Sequence, residues 1–140
     1  MGGFIEDEVA DNGDEKERRI MNLGTLPRVR LANFLPTPLQ ELPNFSKVLG
    51  GPRIFIKRDD LTGLAFGGNK TRKLEYLMAD ALQQNADYIV TGAGFQSNWC
   101  TQATAAALKL GMKTVLIKRG PEDGYLPEDY DGNHLLHVLM

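Results

Sequence analysis

Apolar positions divide the chain into three regimes. Residues 1 to 20 show no apolar period and read as a disordered, charged arm rich in Asp, Glu and Lys. In "FLPTPLQELPNFSKVLGG", prolines at 36, 38 and 43 impose an extended lead-in before a short helix. The period then changes. "RIFIK" (53–57) predicts a short strand of β-branched and aromatic residues, "DYIVTG" (87–92) a buried strand, and "KTVLIK" (113–118) a third. A helix capped by Asn69 is predicted to run to about Gln84, with Leu74, Leu77, Met78, Ala81 and Leu82 on one face. A second covers 97–111 and ends at Gly111, and a last apolar helix opens at Asn133. Strand–helix–strand–helix–strand order predicts an α/β fold, a parallel sheet with helices packed over it. The final helix stops after two turns without a cap, so 21–140 is expected to be the N-terminal part of a longer domain.

Composition narrows the function classes. At 42% apolar, 24% charged and net charge −2, the chain reads as a soluble globular domain, with no basic excess for nucleic acid or an anionic membrane. No apolar run approaches the roughly 20 residues a membrane span needs. The acidic N-terminus lacks a signal-peptide core and the arginine bias of a transit peptide, and Glu6 stands where a myristoylation signal wants Ser or Thr. A single cysteine excludes an intramolecular disulfide framework and fits a reducing, cytoplasmic setting.

Candidate chemistry lies in two glycine-rich stretches. "GLAFGGNKTRKLEYL" (63–77) places Lys70 at the start of a helix, where ammonium is disfavoured. One reading is a phosphate loop, since Gly63, Gly68 and Lys70-Thr71 approach G-x-x-x-x-G-K-[ST], but Asn69 is inserted before the lysine. A second is an NADP-binding fold. Gly92 and Gly94 open G-x-G-x-x-S between a strand and a helix, with Lys118 and Arg119 ending the next strand, yet Ser97 replaces the third glycine. A third joins both stretches at one crevice. Gly67-Gly68-Asn69-Lys70 would supply an amine, and Gly94-Phe95-Gln96-Ser97-Asn98 a hydroxyl, a carboxamide and free N–H groups. That set suits an aldehyde cofactor and an amino-acid carboxylate.

"IFIKRDDLTGLAFGGNKTRKLEYLMADAL", "QSN" and "AAALKLGMKTVL" closely resemble the D-cysteine desulfhydrase and 1-aminocyclopropane-1-carboxylate deaminase family, pyridoxal-phosphate enzymes of the three-layer tryptophan synthase β-like fold. The resemblance runs from about Leu26 to the end, and relatives of full length are more than twice as long. It implies that Lys70, beside Asn69, carries pyridoxal 5'-phosphate covalently and shuttles a proton. It implies that Asn98 binds the cofactor's ring oxygen and that Ser97 holds the substrate carboxylate. Lys73 is expected as a structural or phosphate-side cation, and Trp99, where many members have His or Gln, as a wall of the substrate pocket or a packing residue. The implied reaction is β-elimination and deamination of a small amino acid, D-cysteine first, with 1-aminocyclopropane-1-carboxylate or cysteate as alternatives, by a homodimer at full length. Outside that class stand an NADP-binding oxidoreductase fragment and a catalytically inert fragment.

The chemistry agrees with the placement. An amine that attacks an aldehyde must be in its free-base form, and the helix start, Arg72 and Lys73 all oppose the charge on Lys70. Simpler readings stand beside the other candidates. Ser97 and Asn98 can cap a helix, Cys100 can be a small core filler, and Asp59-Asp60 can pair with Arg58 or Arg72. His134 and His137 share a helix face but have no third ligand at metal spacing, so no metal is expected.

Overall fold

The computed structural model describes residues 23–122 and 124–140. The expected arm over 1–20 lies outside the described residues. After a 3-10 turn at Leu23–Thr25, the elements are β1 (Leu39–Glu41), α1 (Pro43–Leu49), β2 (Phe55–Lys57), a 3-10 turn (Asp59–Thr62), α2 (Lys70–Gln83), β3 (Tyr88–Gly94), α3 (Asn98–Lys109), β4 (Lys113–Arg119) and α4 (Gly132–Leu139).

Among the described residues the parallel sheet is the β3–β4 pair, in register from Tyr88 opposite Lys113 to Gly94 opposite Arg119. The strand expected at "RIFIK" forms, but it belongs elsewhere. Phe55–Lys57 pairs antiparallel with Leu39–Glu41, so the proline-rich lead-in itself supplies a strand. Three residues ending in a charged turn are too short to read as a sheet partner from sequence alone.

Helix α3 crosses back over β3 and β4, and α2 and α4 pack against it. It is buried nearly all round, as a helix enclosed on several sides must be. Ala103, Ala106 and Ala107 keep its surface flat and join Leu31, Leu64, Leu74, Met78 and Met112 in the core. The inward face of α2 differs from expectation. It is formed by Thr71, Leu74, Glu75, Met78 and Ala79, whereas Leu77 and Leu82 are exposed. Glu75 is turned inward because it has work there. Its carboxylate accepts the N–H groups of Leu31 and Ala32, both at 3.0 Å, and Arg28 Nε at 2.6 Å. The segment before β1 is thereby strapped to α2. Burial pushes the Glu75 carboxyl up, but the Ala32 N–H, Arg28 and the Leu31 N–H together hold it below the usual carboxylate range.

The strand at "DYIVTG" is buried on one side only. Tyr88, Val90, Val115 and Ile117 are exposed on the face away from α3. No helix of the described residues is long and apolar enough to cross a membrane.

Candidate active site

The two glycine-rich stretches meet. They arrive by different routes, because Gly67–Lys70 follows the 3-10 turn after β2, while Phe95–Ser97 leaves the carboxyl end of β3. Gly67 has φ +76°, and a Cβ there would fall 1.9 Å from the Asp60 carbonyl oxygen. Gly68 has φ +130°, and its Cβ would fall 2.9 Å from Asn98 Nδ2 and 2.5 Å from Gln102 Nε2. Only glycine lets this loop press against the start of α3.

Beneath the loop runs a buried chain of polar side chains. Gly68 N–H donates to Thr62 Oγ1 at 3.1 Å and to the Asp59 carbonyl at 2.7 Å. Thr71 Oγ1 donates to Gln102 Oε1 at 2.7 Å. Its one proton is then used, so the 3.2 Å Thr62–Thr71 contact depends on the Thr62 proton, for which the Gly68 carbonyl at 3.3 Å competes. Gln102 Nε2 is buried with no partner and points at Gly68. An uncommitted donor thus lies under a loop that excludes even a methyl group.

Lys70 is the first residue of α2, half-buried, and no described residue bonds or ion-pairs its amine. Asn69 precedes it but does not cap α2. Its backbone is already helical (φ −65°, ψ −18°), which turns the side chain away from the first-turn N–H groups. The neighbouring cations have other partners. Arg72 is bound to Asp59, and Lys73 Nζ lies 4.2 Å from the centre of the Trp99 ring. Trp99 Nε1 donates to Thr91 Oγ1 at 2.8 Å, and the ring packs against the core. Lys73 and Trp99 therefore act here as one stacked pair.

Ser97 takes the N-cap of α3, its Oγ accepting the Cys100 N–H at 3.3 Å. Asn98 follows as the first helical residue, exposed and beside Gly68. Cys100 is buried, as a core filler would be. The loop ahead of Ser97 is held by Gln96, which sequence reasoning treated only as a passing carboxamide. Gln96 Oε1 accepts Asn133 N–H at 2.9 Å, and Gln96 Nε2 donates to Asp131 Oδ1 at 2.5 Å. It serves as the missing cap of α4, whose own cap residue, Asp131, makes no side-chain bond to the helix's first N–H groups. His137 adds a second tie, its Nε2 lying 3.2 Å from the Ser97 carbonyl oxygen and 2.9 Å from Thr101 Oγ1. His134 and His137 each have protein partners, and no metal-holding cluster occurs among the described residues. Gln102 and Thr71 were also missed. The available signal was polar residues at inward positions of the two helices, Thr71 and Glu75 on α2 and Thr101, Gln102 and Thr104 on α3.

The residues present fit a carbonyl cofactor. They offer an amine with no partner among the described residues on a first helical turn, and an exposed amide, Asn98, beside the glycine pair that precedes it.

Comparison with known proteins agrees. Residues 31–129 match the family described as pyridoxal-phosphate dependent enzyme. A protein of Pyrococcus horikoshii named "Putative 1-aminocyclopropane-1-carboxylate deaminase" is 46% identical over 118 residues, covering 84% of this chain and 34% of its own length. A Pyrococcus furiosus protein of the same name is 48% identical, covering 84% and 33%. The crystal structure of an ACC deaminase homologue superposes with a TM-score of 0.74 at 45% identity, covering 84% of this chain and 34% of that one. The fold is the tryptophan synthase β-like α/β fold expected from the sequence, and the chain spans about a third of the length of the relatives it matches. With the matched segment spanning the Lys70 loop, both strands of the parallel sheet and the helix between them, the chain belongs to the pyridoxal-phosphate dependent enzyme family.

Proposed function

We propose that this chain carries the lysine-bearing part of a pyridoxal-phosphate lyase or deaminase acting on a small amino acid. The observation that supports it best is Lys70, without a partner among the described residues at the start of α2, in a loop pressed by Gly68 against Asn98. Lys70 holds the cofactor covalently and, once displaced, moves the proton at the substrate's Cα. Asn98 binds the ring oxygen and orients the ring, with Asn69 beside it. Ser97 and the free N–H groups at the start of α3 take the substrate carboxylate. Trp99, braced by Lys73, walls the substrate side, and Lys73 serves as a structural or phosphate-side cation. The bound cofactor supplies the electron sink at Cα.

The preferred substrate is D-cysteine, which loses sulfide and then ammonia to give pyruvate. The names of the two Pyrococcus relatives favour a second reading, deamination of 1-aminocyclopropane-1-carboxylate. At full family length we place the protein in the cytoplasm as a homodimer.

Pyridoxal phosphate added to the purified chain is expected to give a near-visible absorbance band that is absent in Lys70→Ala. Retention of the band in that variant would overturn the Lys70 assignment, and NADPH binding without any band would favour an oxidoreductase. In a chain of full family length, sulfide released from D-cysteine separates the preferred substrate from the cyclopropane acid, which yields ammonia without sulfide.

A further inference from the structure

Lys118 lies near the end of β4, on the side of the sheet that α3 covers. Its Nζ is 2.8 Å from His134 Nδ1 and 5.8 Å from the centre of the Phe95 ring. A lysine amine offers N–H donors to this contact, so His134 Nδ1 accepts and the imidazole carries its proton on Nε2. His134 is itself buried, between Phe95 at 5.0 Å and Tyr130 at 4.9 Å. The other titratable groups around the amine are Cys100 from α3 and His137 from α4, with Lys113 on the wall of the same cavity. No carboxylate of the described residues forms an ion pair with it. The cavity, about 450 Å³, lies between α3, β4 and α4 and is lined by Thr104, Leu108, Leu116, His137 and Val138 as well as the two lysines.

We propose that Lys118 is a carbonyl-reactive amine, independent of Lys70, that forms an imine with small aldehydes entering this cavity. Other lysines differ in what they touch. Lys57 donates to the Thr37 carbonyl, and Lys109 to the Leu31 carbonyl and Asn33 Oδ1, oxygen partners that accept a hydrogen bond but cannot serve as a base. Lys118 meets an imidazole nitrogen in a half-buried setting. Burial lowers its affinity for a proton, opposed only by Cys100, which enlarges the free-base fraction. In the reaction the Nζ lone pair adds to the aldehyde carbon, and His134 Nδ1 takes the proton released from nitrogen. That proton passes to the alkoxide to give the carbinolamine hydroxyl, the second amine proton follows by the same route so that the hydroxyl leaves as water, and the C=N bond forms. One amine and one aldehyde give one imine and one water, with no oxidant or reductant.

The test treats the chain with propanal and sodium cyanoborohydride, which fixes any imine as a secondary amine, and maps modified lysines by mass spectrometry. Lys118 is expected to be labelled several-fold faster than exposed Lys47 and than Lys109, in the chain and equally in Lys70→Ala. His134→Gln is expected to slow Lys118 several-fold and leave Lys47 unchanged, with far-UV ellipticity recorded on the same sample. Because that substitution can also loosen α4, the unsubstituted chain is labelled across pH as well. Labelling of Lys118 should persist to lower pH than that of Lys47. Equal rates at Lys118 and Lys47, a parallel fall with pH, or loss of Lys118 labelling in Lys70→Ala would each overturn the proposal. The Lys70 reading survives all three, since it depends on the cofactor band alone.

Discussion

Arg72 grips Asp59 with both edges of its guanidinium, Nε at 2.7 Å from Oδ2 and a terminal nitrogen at 2.6 Å from Oδ1. Thr37 completes the arrangement by donating to the same Oδ1 at 2.8 Å. Asp59 also holds Gly68 through its backbone carbonyl, so the pair joins β1's approach, the glycine loop and α2 at one point. Sequence pairs of acids usually read as turn formers, and this one is a fastening of the lysine loop.

Loss of that fastening should be measurable. The Arg72 guanidinium, with Thr37, holds the Asp59 carboxyl down at about 2, against an ordinary value of 3.8. A depressed carboxyl stabilises the fold fully above its unfolded value and loses that contribution as pH falls from 3.8 towards 2. Asp59→Asn should therefore cost about 2 kcal/mol at neutral pH, read from urea midpoints, and remove that part of the acid dependence. Arg72→Lys should cost nearly as much, because an ammonium cannot span both carboxylate oxygens.

Glu75 makes a sharper case, because its side chain is wholly buried and satisfies two backbone N–H groups. Glu75→Leu keeps apolar volume but leaves the N–H groups of Leu31 and Ala32 without acceptors. The expected loss is roughly 3 kcal/mol in denaturant unfolding, larger than for any surface ion pair. Arg28→Ala should cost less, since Arg28 is half exposed and the two N–H bonds remain. Hydrogen exchange at Leu31 and Ala32 reports the strap directly, and unchanged protection in Glu75→Leu would refute this account.

How much of this was readable beforehand follows from which forces are local. Lys70 at a helix start was legible, because helix periodicity and the glycine pair are both short-range signals. So were α3, capped by Ser97, and the βαβ unit around it. The antiparallel pairing of Phe55–Lys57 with Leu39–Glu41 was not, because register between three-residue strands is set by contacts outside them. Leu77 and Leu82 were placed on the buried face because they are apolar, and Glu75 was left out because it is charged. Buried backbone N–H groups reversed that order, and no periodicity rule contains them. Tyr88, Val90, Val115 and Ile117 form the apolar pattern of a strand pair covered on both faces, while the described residues cover only one. Gln96 and Gln102 act across 37 and 31 residues respectively, beyond what spacing along the chain reports.

The close approach at Gly68 gives a prediction that joins fold to site. In Gly68→Ala the new methyl would stand 2.5 Å from Gln102 Nε2 and 2.9 Å from Asn98 Nδ2, at a φ that L residues rarely adopt. Strain at such a backbone costs on the order of 2 kcal/mol, and the loop must withdraw from α3. Pyridoxal phosphate should then give a weaker near-visible band than in the unsubstituted chain. Shortening Gln102 to Ala in the same background relieves the closer contact but not the backbone strain, so the band should recover only in part. Full recovery would place the fault in the contact alone.

His137 closes the circuit between the site loop and α4, and its titration has a definite sign. Its Nε2 faces the Ser97 carbonyl, which can only accept, so the neutral ring carries its proton there and leaves Nδ1 buried without a partner. Burial first, then Lys118 and more weakly His134, push its proton affinity below the ordinary value of 6.5, with the Ser97 carbonyl opposing them. A base depressed in the folded state is neutral in both states above 6.5 and costs nothing there. As pH falls below 6.5 the unfolded chain takes up the proton more readily, and stability declines. His137→Gln keeps a side-chain donor for Ser97 but cannot titrate. The difference in urea midpoint between pH 7 and pH 5 should therefore shrink in His137→Gln, with amide protection in α4 falling less steeply over the same range. If both proteins lose stability in parallel, the sensitivity belongs to other groups and the His137 tie is neutral to pH.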